Sequence, residues 1–258
     1  MDELLYDVID GVCRIRINRP ESRNAFKLAM YAELARLCRG IPTDGSVKAL
    51  IIQGAGDRAF AAGTDMTEFR GFSTPQDALD YEENMDKVLG DVERCPVPTI
   101  AAITGSCTGG GAAIAAACDI RICDSHLKWG FPIARTLGNC LSIGNLARLS
   151  VLIGHGRLRE ILFTARLIGA EEAHRIGLVS EVHETAEAVR ERAGAIAETL
   201  KDHAPLTMRA TKEAMRRLRT LGPGADDSDL VTLCYMSRDF RDGMEAFLAK
   251  RKPDWRGE

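Results

Sequence analysis

The sequence predicts an α/β fold. Three observations carry that prediction: apolar runs of strand length alternate with longer segments at helical spacing, glycine-rich turns join them, and 45% of the 258 residues are hydrophobic, enough for a substantial core. Leu5 to Ile9 and Val12 to Asn18 read as strands, the second because Cys13, Ile15 and Ile17 alternate with Val12, Arg14 and Arg16. Asp10-Gly11 between them is a hairpin signal. Pro20 to Asn24 punctuates the chain, after which Ala25, Leu28, Ala29, Ala32, Leu34, Ala35 and Leu37 recur at helical spacing as far as Gly40. Ala49 to Gln53 is a short buried strand closed by Gly54-Ala55-Gly56. A helix is expected from Gln76 to about Arg94, a strand over Thr99 to Ile103, a glycine-rich turn over Thr104 to Gly111, a buried helix over Ala112 to Ala117 and a strand over Asp119 to Cys123. Helical periodicity covers Leu141 to Ala165 and Glu171 to Ile176, Gly177-Leu178-Val179 breaks it, and helices return from Ala186 nearly to the end. Residues 1–201 are expected to form the α/β core and 202–258 a C-terminal helical region.

The charge balance excludes some classes of function. With 34 basic against 37 acidic residues, a net charge of -3 and a pI near 6.0, the chain has no general attraction to nucleic acid or to an anionic membrane, so any anion site must be local. The N-terminal Met1-Asp2-Glu3-Leu4-Leu5-Tyr6-Asp7 is acidic where a signal peptide would be basic, and no run reaches the roughly 18 apolar residues of a membrane helix, so a cytoplasmic protein is expected. Eight cysteines are scattered without metal-ligand spacing and read as reduced core thiols, and no metal motif such as HExxH occurs among the five histidines.

Chemistry concentrates at two turns. Gly109-Gly110-Gly111 follows a strand and opens a helix, where the absence of side chains lets a ligand approach unpaired N–H groups at a helix N-terminus. Ala59-Phe60-Ala61-Ala62-Gly63-Thr64-Asp65-Met66 is a second small-residue turn after a buried strand, and two such turns can each give one backbone N–H to a thioester oxygen. No GxxxxGK[ST] supports a nucleotide site, and no GxGxxG opens the first helix as a Rossmann dehydrogenase requires.

Asn18-Arg19-Pro20-Glu21 with Asn24-Ala25, Phe60 to Met66, Gly105 with Gly109-Gly110-Gly111, Cys118-Asp119-Ile120, Gly177-Leu178-Val179 and Ala246 to Arg251 resemble the enoyl-CoA hydratase/isomerase (crotonase) superfamily in order and spacing, across essentially the whole chain. The resemblance implies a ClpP-like spiral of ββα units, C-terminal helices that join subunits into a trimer or a dimer of trimers, and an acyl-CoA thioester as partner. No other cofactor is implied; coenzyme A is part of the substrate. The resemblance assigns the oxyanion-hole N–H groups to Thr64 and Gly110, and the pantetheine and phosphate path to Ser22, Arg23 and Ala62, with Lys250 reaching the phosphates of a neighbouring subunit. Asp65 and Asp119 take structural parts in it.

The sequence departs from the family at two places. Where hydratases carry two glutamates this chain has Ala113 and Ile133, neither able to transfer a proton. Arg135 is the candidate stand-in, as a carboxylate contact or a stabiliser of developing charge, with Thr136, Asn139 or Cys140 able to orient water. Glu82 and Glu83 lie on the helix that the resemblance places over the acyl pocket and read first as solvated charges, with either one as catalyst the lesser alternative; His126 is the histidine nearest the site in sequence, and Trp129 and Phe131 are candidate pocket walls or simply core. The expected activity is therefore a hydratase- or isomerase-like lyase with unusual acid/base groups. Decarboxylation of a CoA thioester and a catalytically silent CoA-ester binding subunit stand as alternatives.

Overall fold

The computed structural model describes residues 2–258. The chain opens on an antiparallel hairpin, β1 (Leu4–Ile9) and β2 (Val12–Ile17), in the register Ile9 to Val12. Its two-residue turn puts both Asp10 and Gly11 at positive φ, 49° and 77°, the twist that lets a tight hairpin follow the strands. Helix α1 (Leu28–Arg39) then carries the chain over to β3 (Ala49–Gly54), which lies parallel to β2.

From β3 onward one unit recurs. A strand of the main sheet passes into a three-residue strand of a second sheet, and a helix follows: β3, β4 (Ala59–Ala61) and α2 (Pro75–Glu93); β5 (Thr99–Ile103), β6 (Ser106–Thr108) and α3 (Gly110–Ala117); β7 (Ile120–Asp124), β8 (Lys128–Gly130) and the single-turn α4 (Ile133–Thr136). Helices α5 (Ile143–Ile153), α6 (His155–Thr164) and α7 (Ala170–Arg175) precede β9 (Glu181–His183), which closes the main sheet in the order β1-β2-β3-β5-β7-β9. The second sheet, β4-β6-β8, is all parallel. Helices α8 (Ala186–Lys201), α9 (Pro205–Leu221), α10 (Ser228–Tyr235) and α11 (Arg238–Ala249) complete the chain.

The main sheet is covered on both faces, as parallel strands require. Cys13, Ile15, Ile17, Leu50, Ile52, Ala101 and Ile103 face α1, α2 and α3, whereas Val12, Ile51, Ile100 and Ala102 pack on Val189, Ala193 and Ala197 of α8. The four strands that the sequence pattern misses are all three residues long, too short to show a period of two. The expected helix over Leu141 to Ala165 is split at Gly154, whose φ of 77° cannot continue a helix. The cysteine expectation is corrected in part: six are buried, but Cys140 is exposed and Cys234 half-exposed.

Candidate active site

Because β4 and β6 are parallel neighbours, the turns that leave their C-terminal ends lie side by side. They pack backbone against backbone: a Cβ on Gly109 would sit 3.5 Å from the Gly63 Cα, and one on Gly63 would sit 3.7 Å from the Gly110 nitrogen. Gly63 (φ 101°) and Gly109 (φ 52°) also hold conformations that side chains disfavour. Phe26 N–H donates to the Gly63 carbonyl at 2.8 Å and Asp65 N–H donates to the Phe26 carbonyl at 2.7 Å, a parallel bridge that turns the intervening Thr64 N–H away from its neighbour strand. Gly110 is the first residue of α3, where an N–H has no acceptor within the helix. Among the described residues neither N–H has a protein partner, and both residues line one cavity of about 370 Å³.

Three polar side chains fix the first turn. Asn24 is fully buried; its side-chain oxygen accepts from Arg19 N–H at 3.0 Å, and its amide donates to the Ala55 and Ala59 carbonyls at 3.0 and 2.7 Å. Arg19 donates to the Ala25 carbonyl at 2.6 Å and pairs with Asp65 at 3.0 Å. Asp65 accepts from the hydroxyl and N–H of Thr67 at 2.8 and 3.1 Å, capping a 3-10 turn over Met66–Gly71. The Thr67 hydrogen bonds and then Arg19 hold its carboxyl below the usual range. Asp65 thus has a structural part, as does Asp119, which accepts from Thr99 N–H and hydroxyl at 2.7 and 2.8 Å and pairs with Lys212.

Beneath the two N–H groups runs a chain of hydroxyls. Thr64 Oγ1 lies 2.9 Å from Tyr31 Oη and 2.8 Å from Tyr81 Oη. Tyr31 is fully buried, stacked on Phe26 with ring centroids 4.6 Å apart, and has no other polar partner among the described residues. Its proton therefore goes to Thr64, since a buried donor left unmade costs about 1–3 kcal/mol. Tyr81, the second hydroxyl partner of Thr64 Oγ1, lines the cavity. Burial raises both phenols above their ordinary values, so both stay protonated. Nothing in the sequence pattern marks this chain, because Tyr31, Thr64 and Tyr81 come from three elements.

The cavity wall continues through α2, α3, α4 and the start of α5. Ala113 and Ile133 both line it, as do Phe131, Thr136 and Asn139. Trp129 is buried beneath, and does not line it. Arg135 is exposed and outside the wall: the single turn of α4 aims Ile133 and Thr136, three residues apart, inward, and so turns Arg135 away. Cys140 and His126 are exposed and also outside it. Glu83 matches its expectation as a solvated charge, paired with Lys87 at 2.6 Å, but Glu82 does not: it is half-buried, lines the cavity, and burial raises its carboxyl above the usual range against the Ser142 N–H that opposes the rise. Ala62 lines the cavity and its N–H donates to the Arg23 carbonyl at 3.0 Å, which ties the Ser22-Arg23 segment to the rim. The Arg23 side chain is exposed, as is Lys250 at the end of α11.

Comparison with known proteins places the chain in a family. Residues 7–258 match the family described as enoyl-CoA hydratase/isomerase. The chain is 35% identical over 248 residues to a short-chain-enoyl-CoA hydratase of Clostridium acetobutylicum, covering 93% of this chain and 92% of that one. It is 34% identical over 261 residues to a crotonyl-CoA hydratase of Syntrophomonas wolfei, covering 98% of each. Among solved structures it is similar to an enoyl-CoA hydratase/carnithine racemase of Magnetospirillum magneticum, with a TM-score of 0.90, 34% identity, and 100% and 97% of the two chains covered.

Proposed function

The chain belongs to the enoyl-CoA hydratase/isomerase family, and on that premise we propose that it binds an acyl-CoA thioester with the carbonyl oxygen between the N–H groups of Thr64 and Gly110, and stabilises the enolate formed there. The observation that carries the reading is the pair of unpartnered N–H groups converging on one cavity from two packed turns. A neutral carbonyl accepts modestly from such donors and an enolate oxygen strongly, so the pair favours the charged state over the ground state; each donor contributes about 2.7–4 kcal/mol in sites of this kind. Donation is from backbone, so the threonine side chain at position 64 is no obstacle.

The acyl group lies along the Phe69, Met85, Phe131 and Leu141 side of the cavity, and the pantetheine leaves past Ala62 and Gly63 toward Ser22 and Arg23, whose exposed guanidinium meets a phosphate. Exposed Phe247 and Leu248, 83% and 71% accessible, support an assembly of copies through the C-terminal helices, where Lys250 reaches a neighbour's coenzyme A. Ala113 and Ile133 on the wall favour one second reading, a silent binding subunit.

Mass spectrometry of acyl-, enoyl-, malonyl- and methylmalonyl-CoA after incubation in heavy water separates the two. Hydration adds water, enolisation brings deuterium to the α-carbon, isomerisation moves the double bond with label, and decarboxylation loses carbon dioxide. Turnover of any thioester supports the enzyme; binding without change in all of them supports the silent subunit.

A further inference from the structure

Proton transfer at the α-carbon needs a group that ionises near neutral pH beside the bound thioester. Among the described residues lining the cavity only Tyr81 and Glu82 are titratable; no lysine, arginine, histidine, cysteine or aspartate reaches it. Tyr81 stays protonated, so Glu82 is the one carboxylate in the wall.

Its setting differs from those of Glu83 and Asp86. Glu83 is exposed and paired with Lys87, and Asp86, one turn further along α2, pairs with Arg148 at 3.0 Å. Among the described residues Glu82 has no cationic partner, and across from it lies the N-terminus of α5, where Ser142 caps the helix by accepting from Asn145 N–H at 3.1 Å. An unpaired carboxylate held in a largely apolar wall is poorly solvated as an anion, which makes it a better base than a surface glutamate. The helix is fixed at its start by Pro75 and by a capping box in which Thr74 and Asp77 bond each other's backbone N–H, so α2 presents position 82 to the cavity from a rigid element.

Resting on the function proposed above, we infer that Glu82 is the catalytic acid/base of this pocket, supplied by α2 instead of the positions occupied by Ala113 and Ile133. The Glu82 carboxylate takes the α-proton and becomes a carboxylic acid. The C–H electron pair becomes the enolate, whose charge rests on the thioester oxygen between Thr64 and Gly110. Return of the proton from Glu82 to carbon restores both, and exchange of the carboxyl proton with solvent between the two steps carries deuterium into the thioester. No external oxidant, reductant or metal enters this balance.

The test uses the full chain with butyryl-CoA in heavy water, reading α-deuterium by mass spectrometry and affinity by calorimetry. Glu82→Gln is expected to lose about 10²–10⁴-fold in exchange rate, the usual worth of a positioned acid/base, with affinity and melting temperature close to wild type. Glu82→Asp, which keeps the carboxylate, is expected to recover part of the loss, and Glu83→Gln to lose nothing. Exchange by Glu82→Gln within threefold of an active wild type overturns the assignment of Glu82 alone. A wild-type protein that binds butyryl-CoA and exchanges nothing overturns the enzymic reading as well.

Discussion

Gly110→Ala perturbs the site at its tightest point. A Cβ there would lie 2.0 Å from Tyr31 Oη, 3.1 Å from Tyr31 Cζ and 3.4 Å from Thr64 Oγ1. Tyr31 cannot retreat, being fully buried and stacked on Phe26, so the start of α3 must shift and carry the Gly110 N–H with it. Overpacking of this kind costs about 1–3 kcal/mol in stability, and misplacing one oxyanion donor costs about 10²–10³ in rate. The clash is chiefly with one oxygen, so Tyr31→Phe in the same chain removes the 2.0 Å contact and leaves the 3.1 Å one, which a few tenths of an ångström relieve. The double variant is therefore expected to be more stable than the sum of the singles by about 1 kcal/mol or more, a coupling normal for residues in contact. Urea unfolding measures the stability, and α-deuterium exchange into a saturated acyl-CoA measures the rate. Additive stabilities, or a Gly110→Ala protein of wild-type stability and rate, would refute the packing and the donor assignment together.

Other expectations follow from the same geometry. Thr64→Ala keeps the backbone N–H but strands the buried Tyr31 hydroxyl, so unfolding should show a loss of about 1–3 kcal/mol that adding Tyr31→Phe largely restores, while exchange changes little by comparison with Gly110→Ala. Asp65 has a lowered carboxyl pKa in the folded chain, so its contribution to stability is present above the unfolded value of about 3.9 and is lost as pH falls through the folded one. The stability gap between wild type and Asp65→Asn should accordingly narrow on acidification below about pH 4 in urea titrations. Glu82 shifts the other way: its environment of Tyr81, the Asp86–Arg148 pair and the Ser142 N–H leaves burial dominant, so the acid limb of the exchange rate should lie above the ordinary glutamate range of about 4.3 and vanish in Glu82→Gln.

The sequence carries the outline of this fold because its long elements are periodic. β3, β5 and the helices α1 and α2 bury one face or both and show it in the spacing of their apolar residues. The second sheet is invisible at that level, since β4, β6 and β8 have three residues each and owe their pairing to neighbours far along the chain. The two turns of the candidate site were legible for a local reason: small residues and glycines there leave the backbone bare. Asp65 was legible as a structural residue through the resemblance, and its Thr67 partner is local, but its partner Arg19 lies 46 positions away and appears only in the fold. Glu82 lines the cavity and Arg135 does not, because a side chain's direction on a helix depends on how the helix is seated. One turn of α4 sends Arg135 to solvent, and the packing of α2 against α5 draws Glu82 in. The Tyr31, Thr64 and Tyr81 chain joins residues 33 and 17 positions apart and leaves no trace in any local pattern.

The most direct test of the central claim is the infrared stretch of a ¹³C-labelled thioester carbonyl, recorded for a saturated acyl-CoA free and bound. Two N–H donors converging on the oxygen polarise the C=O bond, so the band should move to lower frequency on binding to the wild-type protein and return most of the way in Gly110→Ala. A bound thioester whose carbonyl band stays at its solution frequency would contradict the account, whatever the affinity.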